Sequence, residues 1–304
     1  MPARELVVLG TASAVPTRTR NHNGHLLLWD GAGLLLDPGE GTQRQLALAG
    51  ASASSVSAIA ITHAHGDHAL GLPGLLQRMA LDGVTRPVPL LFPAAAEEYV
   101  AHLLGAAAHA AVLAAPHPVP GDGPVLALGG AVLEAVALDH RVPCCGYRLV
   151  EPDGRRMLPE ALAARGIAGP DVGRLQREGS LATPGGVVAL EDVSAPRRGQ
   201  RFALVQDTRW CEGALRLAED ADLLLCEATF ADDDAALAAP YGHLTARQAG
   251  RLAATAGAGR LVLTHFSARY GDLEPLLAQA REEHDDVVVA RDLARIPLPA
   301  RRGA

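Results

Sequence analysis

The sequence predicts a mixed α/β sandwich, and three observations carry that expectation. Short apolar runs stopped by glycine or turn residues recur along the chain and read as strands. Beyond the first quarter they alternate with segments of helical periodicity. Near the N-terminus two of the runs flank Asp30-Gly31-Ala32, a hairpin signature. A helical bundle or a plain β-barrel would not show both periods.

Taken in order, Glu5-Leu-Val-Val-Leu-Gly10 reads as a buried strand, and residues 25–29 and 33–37 as the two arms of the hairpin. Residues 56–62 form a further strand that runs directly into a cluster of histidines. Leu72–Leu81 follows Gly71 and carries Pro73 in its first turn, where a missing N–H costs nothing, so it predicts a helix. A strand over 87–92, an alanine-rich helix over 94–115 and a strand over Ala131–Leu138 come next, the last ending at Asp139-His140. The second half repeats the rhythm. Strands are expected over 202–206, 222–226, Arg260–Thr264 and 287–290, with helices over 213–219, 245–256 and 273–283.

Residues 151–201 break this rhythm. They hold five prolines (152, 159, 170, 184 and 196), many glycines and little core-like periodicity, with eight arginines against seven acidic residues. Such a stretch inside a compact domain is either an ordered insertion or a mobile arm.

Composition sets outer bounds. With 304 residues, 49% of them hydrophobic and 20% charged, the chain can bury a sizeable core, and a disordered polyelectrolyte is excluded. No apolar run reaches the roughly 18 residues that span a bilayer. The first residues lack the basic-then-apolar pattern of a signal peptide, so a cytoplasmic protein with no membrane partner is expected. Four cysteines, two of them adjacent, do not make a disulfide framework and read as small buried residues. The net charge of −7 weighs against a nucleic-acid partner, although ions at a metal centre would add positive charge that a residue count misses. The chain has no lysine, so a charged side chain meeting a phosphate must do so through the planar guanidinium fork of arginine.

The sharpest local signal is Thr62-His-Ala-His-Gly-Asp-His68. Residues two apart at the end of a strand point the same way, so His63 and His65 can share one ion. Asp67 and His68, after a glycine turn, can face a second. Imidazole nitrogen with carboxylate oxygen suits zinc, and manganese or iron fit the same ligand types. The remaining ligands are sought at other strand ends, where His140, Asp207 and His265 stand. The expected sets are His63, His65, His140 and Asp207 for one ion, and Asp67, His68, His265 and Asp207 for the other, with Asp207 shared. Two neighbouring ions can activate water while clamping the oxygens of a phosphate or carbonyl.

These residues are similar to a known family. His-x-His-x-Asp-His is the motif of the metallo-β-lactamase fold, a four-layer α-β-β-α sandwich. Asp37-Pro-Gly-Glu-Gly-Thr-Gln43, Ile61 to His68 with Gly71-Leu-Pro-Gly74, His140-Arg-Val-Pro143 with Gly146-Tyr-Arg148, Asp207-Thr-Arg209, Glu227-Ala-Thr229, Gly242-His243 and Thr264-His-Phe-Ser-Ala-Arg-Tyr270 resemble ribonuclease Z more narrowly. The resemblance covers most of the chain and implies one domain over 1–304 with a protruding tRNA-binding arm inserted at 151–201. It also implies a homodimeric, two-zinc endoribonuclease acting on precursor tRNA, with manganese or another divalent ion as a substitute. The 3′ trailer would be removed after the discriminator nucleotide, leaving a 3′-hydroxyl and a trailer 5′-phosphate. Asp67, Glu227 and His243 would carry proton transfer. Arg269 would contact phosphate, Arg18 and Arg20 would lie near the acceptor stem, and Gly169-Pro170 matches the arm's own motif. Two positions depart from the family pattern: Gln206 stands where glycine is usual, and Leu244 where serine is common. The alternative is a hydrolase of the same fold acting on a small ester, thioester or phosphodiester, which needs the ions but no arm.

Overall fold

The computed structural model describes residues 4–300. The chain begins with an antiparallel meander of β1 (Glu5–Gly10), β2 (Gly24–Trp29) and β3 (Ala32–Leu36), followed by helix α1 (Thr42–Leu48). Strand β4 (Val56–Ala60) runs parallel to β3 and delivers the chain to a single helical turn, α2 (Gly66–Ala69), and then α3 (Leu72–Leu81). Strands β5 (Val88–Pro93) and β6 (Ala114–Val119) extend the parallel portion, with α4 (Glu97–Ala106) between them. A second sheet starts with β7 (Gly123–Leu128), β8 (Ala131–Leu138) and β9 (Cys144–Val150).

The segment Glu151–Gln200 is a compact unit of its own. It contains β10 (Gly154–Met157), α5 (Pro159–Ala164), α6 (Pro170–Glu178), the hairpin β11 (Ser180–Thr183) and β12 (Gly186–Ala189), and β13 (Ser194–Arg197) paired with β10. Leu162, Ile167, Leu175, Leu181, Val188 and Val193 form its small core.

The second sheet resumes with β14 (Arg201–Val205), helix α7 (Glu212–Ala218), β15 (Leu223–Glu227), α8 (Ala235–Tyr241), α9 (Ala246–Thr255), β16 (Arg260–Thr264), α10 (Glu274–Arg281) and β17 (Val287–Val289). Finally β18 (Arg295–Pro297) returns to the first sheet and pairs with β1. The sheet orders are β18-β1-β2-β3-β4-β5-β6 and β17-β16-β15-β14-β9-β8-β7.

Strand periodicity fixes the layers. Successive side chains leave a strand on opposite faces. Leu6, Val8, Leu34 and Leu36 therefore meet Tyr147, Leu149, Leu204 and Leu225 of the other sheet, while Val7, Leu9, Leu35 and Ile59 face α1, α3 and α4. Ala203, Val205, Leu224 and Leu263 do the same against α7, α9 and α10. Because strands buried on both faces must be apolar at every position, they read as continuous runs and not as alternation. Each fully buried leucine contributes roughly 1.5–3 kcal/mol of transfer free energy. The result is a helix–sheet–sheet–helix sandwich.

Several elements escaped the sequence reading. The helix expected over 94–115 is broken into short pieces, and its last residues open the edge strand β6, whose Pro116 and Pro118 hid it. Also unforeseen were edge strand β7, strand β9 with its small Cys-Cys-Gly start, β18, and helices α1 and α8.

Candidate metal centre

The strand ends converge. The chain leaves β4 into His63, β8 into His140, β14 into Asp207 and β16 into His265, and β15 ends on Glu227. Strands β14, β15 and β16 are mutually parallel, and β8 runs in the same sense because both it and β14 are antiparallel to β9. Hydrogen bonds from Cys145 N to the Thr62 carbonyl (3.0 Å) and from the Tyr147 hydroxyl to the Ile61 carbonyl (2.9 Å) join the two sheets beside the site.

Ligand-type atoms of His63, His65, His140 and Asp207 lie within 4.8 Å of one another, as do those of Asp67, His68 and His265. Asp207 stands between the two groups. Its Oδ2 is 3.5 Å from His63 Nε2, 3.6 Å from His68 Nε2 and 3.8 Å from His140 Nε2, and its Oδ1 is 3.3 Å from His265 Nε2. Asp67 Oδ2 lies 3.4 Å from His68 Nε2 and 3.5 Å from His265 Nε2.

What the far side of each ring does decides what the near side can do. His140 Nδ1 donates to the Gly242 carbonyl (2.9 Å), and His68 Nδ1 donates to Asp37 Oδ2 (2.8 Å). A carboxylate only accepts, so the single hydrogen of the Thr62 hydroxyl goes to Asp37 Oδ2 (2.8 Å) and its oxygen accepts from His63 Nδ1 (2.9 Å). In the same way Thr229 donates to Glu227 Oε2 (2.5 Å) and accepts from His265 Nδ1 (2.9 Å). Four imidazoles thus aim their Nε2 atoms at one small volume. Such anchoring by outer carboxylates and carbonyls fixes ligand tautomer and aim.

The donor set fits a pair of divalent ions. His140 Nε2 and Asp207 Oδ1 are buried with no hydrogen-bond partner, and the Nε2 atoms of His68 and His265 face each other at 3.1 Å. Burial lowers His63, His65 and His140, keeping them neutral. Burial also opposes charge on Asp207 and Asp67, but the surrounding histidines hold both carboxyls below their ordinary range. For His68 burial is outweighed by Asp207, Asp67 and Asp37, so its imidazole is held well above the ordinary range. His68 Nε2 then donates its proton to His265 Nε2, in the place that a cation would take. Neutral imidazoles and ionised carboxylates are the forms that bind metal.

His243 lies among the same donors: ligand-type atoms of Asp207, His243 and His265 also fall within 4.8 Å of one another. His243 Nδ1 donates to Glu227 (3.1 Å), a fully buried carboxylate that also accepts from Thr208 N (2.7 Å). Burial works against charge on His243, but Glu227 and Asp207 more than offset it and raise it to about 9.

Backbone geometry supports the arrangement. Asp37 and His265 both sit at positive φ, 49° and 59°, a conformation costing a non-glycine residue on the order of 1–3 kcal/mol. Gly242 has φ 80°, and a Cβ there would lie 2.8 Å from His140 Nδ1, so glycine is required for its carbonyl to reach that ring.

The other expected residues fall differently. Arg18 is exposed. Arg20 is not: it is 9% exposed, and its guanidinium donates to the Ser267 carbonyl (3.2 Å). The loop it sits in is pinned by Asp292, which accepts from Asn21 N, Thr11 Oγ1 and Gln45 Nε2. Arg269 is 42% exposed, 3.5 Å from Asp234 and stacked over Phe230. Gly169 and Pro170 are exposed at the start of α6. Gln206 donates to Asn23 Oδ1 (3.0 Å), and Asn23 donates in turn to Asp37 Oδ2 (3.3 Å), so this departure lengthens the anchorage of His68. Leu244 is fully buried in the helix-side core. All four cysteines are free, and burial pushes the Cys145 thiol up to about 12. Asp37, Thr62 and Thr229 stand in the sequence only within longer motifs, and a polar residue following an apolar strand is their one signal.

Ribonuclease Z of Streptomyces coelicolor is 55% identical to this chain over 305 residues, covering 99% of this chain and 100% of that protein. The chain belongs to the ribonuclease Z family. Ribonuclease Z of Chlamydia pneumoniae is 40% identical over 300 residues, with 98% of each chain covered. Two family models match parts of the chain: anti-Pycsar protein Apyc1 over residues 4–110, and beta-lactamase superfamily domain over residues 183–266. Human tRNase Z, short form, superposes with a TM-score of 0.69 at 25% identity, covering 97% of this chain and 100% of that one. The Bacillus subtilis metallo-beta-lactamase fold protein YhfI shares the fold, with a TM-score of 0.70 at 20% identity over 96% of this chain and 98% of that one. The four-layer sandwich read from the motif is therefore the metallo-β-lactamase fold. Among the described residues no helix is long and apolar enough to cross a membrane.

Proposed function

We propose that the protein is a two-zinc endoribonuclease that removes the 3′ trailer of precursor tRNA after the discriminator nucleotide. The products are a tRNA 3′-hydroxyl and a trailer 5′-phosphate, and a homodimer performs the reaction. One observation carries the reading: all seven expected ligands meet at one place in a chain that belongs to the ribonuclease Z family.

His63, His65, His140 and Asp207 would hold one ion, and Asp67, His68, His265 and Asp207 the other; manganese or another divalent ion would serve in place of zinc. Such ions, when bound, supply positive charge against phosphate oxygens and make water a nucleophile at neutral pH. The chain's own groups do the rest. Asp67 Oδ accepts the proton of the attacking water. His243, charged because Glu227 accepts from its Nδ1, gives a proton to the leaving 3′-oxygen. The Arg269 and Arg18 forks steady phosphates, while Arg20 holds the loop that carries Arg18. The Glu151–Gln200 unit, with exposed Arg156, Arg165, Arg174 and Arg177 and the Gly169-Pro170 turn, grips the tRNA.

Incubation with one precursor tRNA lacking an encoded CCA end, followed by mapping of the new 3′ end, tests the reaction. A single cut after the discriminator is expected, and stepwise trimming of mature CCA ends would sink the assignment. Replacing residues 151–200 by a short Gly/Ser linker tests the arm. Hydrolysis of a small activated phosphodiester should survive, while activity on precursor tRNA falls by orders of magnitude, chiefly through KM. The difference should shrink as salt rises. Unchanged tRNA activity would favour the small-ester hydrolase instead.

A further inference from the structure

The two sheets bring the same device to the site from opposite sides. In the first, Asp37 Oδ2 accepts from the Thr62 hydroxyl, the Thr62 oxygen accepts from His63 Nδ1, and Asp37 also accepts directly from His68 Nδ1. In the second, Glu227 Oε2 accepts from the Thr229 hydroxyl, the Thr229 oxygen accepts from His265 Nδ1, and Glu227 also accepts directly from His243 Nδ1. Both carboxylates are fully buried, and the threonines are 0% and 2% exposed. Each relay is therefore a carboxylate, a threonine and two histidines, one reached through the hydroxyl and one directly.

We propose that Thr62 and Thr229 are positioning residues, each setting the tautomer and aim of one ligand histidine, and each therefore governing the affinity of one ion of the pair. The inference rests on the two-ion reading above. Its physical basis is the direction of two hydrogen bonds. A hydroxyl whose hydrogen is taken by a carboxylate can only accept from the ring, which forces Nδ1–H and leaves Nε2 bare for an ion. Valine has nearly the same shape but neither accepts nor donates. In its place the ring is free to turn or to carry its proton on Nε2. His65 has no such partner at Nε2; its Nδ1 donates here to the bare His63 Nε2 at 2.8 Å, and an ion taking that place would shift the proton to Nε2.

Because the relays belong to different ion sites, their loss should be separable. The metal-free protein is titrated with zinc against a chromophoric chelator, which resolves two binding events. Thr62→Val should weaken the event that depends on His63, and Thr229→Val the event that depends on His265, each by about 10–100-fold. In each variant the other event should stay within a few-fold of wild type. Thr62→Ser and Thr229→Ser restore the hydroxyl and should restore binding. The pairing is assigned by repeating the titrations on His63→Ala and His265→Ala, each of which should lose the same event as its threonine partner. Equal weakening of both events in either variant, no weakening at all, or failure of serine to rescue would overturn the proposal.

A second measurement needs no substitution. Nitrogen-15 spectra of the zinc-loaded wild-type protein should show His63 and His265 with the proton on Nδ1 and His65 with it on Nε2. The reverse assignment for His63 or His265 would overturn the proposal even if the valine variants failed to fold. Neither measurement uses RNA, so failure here leaves the cleavage reading standing, and a wrong cleavage site leaves the relays standing.

Discussion

The two halves of the site use one plan with different spacing and a different outcome. In the first half the threonine and its histidine are adjacent, Thr62 and His63, but the carboxylate is remote: Asp37 reaches Thr62 across 25 residues and His68 across 31. In the second half Thr229 reaches His265 across 36 residues, and Glu227 reaches His243 across 16. The outcomes differ in the histidine that the carboxylate binds directly. His68 is completely buried and its Nε2 faces His265, Asp67 and Asp207, so both of its nitrogens are committed. His243 is 13% exposed and held charged by Glu227. Access separates these two rings: in the proposed reaction the enclosed His68 serves as a ligand, and His243, with an open edge, gives a proton.

The strongest way to break the comparison is to remove the residue that serves both halves. Asp207→Ala should abolish hydrolysis, by more than the 10²–10³-fold that loss of one electrostatic donor costs. It should also lower bound metal more than any other single ligand change, as read by elemental analysis of the purified protein. Metal content equal to that of the wild type would deny Asp207 its bridging place.

A sharper test sets the two carboxylate-bonded histidines against each other. His68→Ala should cost metal and activity together. His243→Ala should keep the wild-type metal content while kcat falls by about 10²–10⁴-fold, the usual worth of a positioned acid. Loss of metal from the His243 variant would make it a ligand and erase the difference between the halves.

The smallest effect concerns pH. In the metal-free protein His243 should titrate at about 9, and Glu227→Gln should bring it down, because burial then acts without its opposing charge. A raised pKa means that the stability from this pair is complete below the ordinary value of 6.5 and is lost as pH rises through about 9. Denaturation of wild type and Glu227→Gln across pH 6–10 should therefore show a gap that closes at the alkaline end. A constant gap would mean that Glu227 acts only through its bonds to Thr208 and Thr229.

Legibility followed locality. Thr62 to His68 was readable because a strand end and a glycine turn place its donors by chain geometry alone, and Leu72–Leu81 and Ala131–Leu138 because their periods are strong. The edge strands β6 and β7 were not, since prolines and glycines are tolerated there only because a neighbour supplies the pairing. Arg20, expected with Arg18 near the acceptor stem, is turned inward, its guanidinium donating to the carbonyl of Ser267, 247 residues away.

By itself the sequence determined which donors exist, the α/β alternation, and which of those donors follow strand ends, because apolar runs on two buried faces and motifs at their termini are written in neighbouring residues. Only the tertiary structure decided which nitrogen of these histidines faces the site. That choice belongs to a partner on the other side of the ring: Asp37 for His68, Gly242 for His140, Thr229 for His265. Those partners lie 31, 102 and 36 residues away in the chain, and no local pattern records the direction of a hydrogen bond between strands.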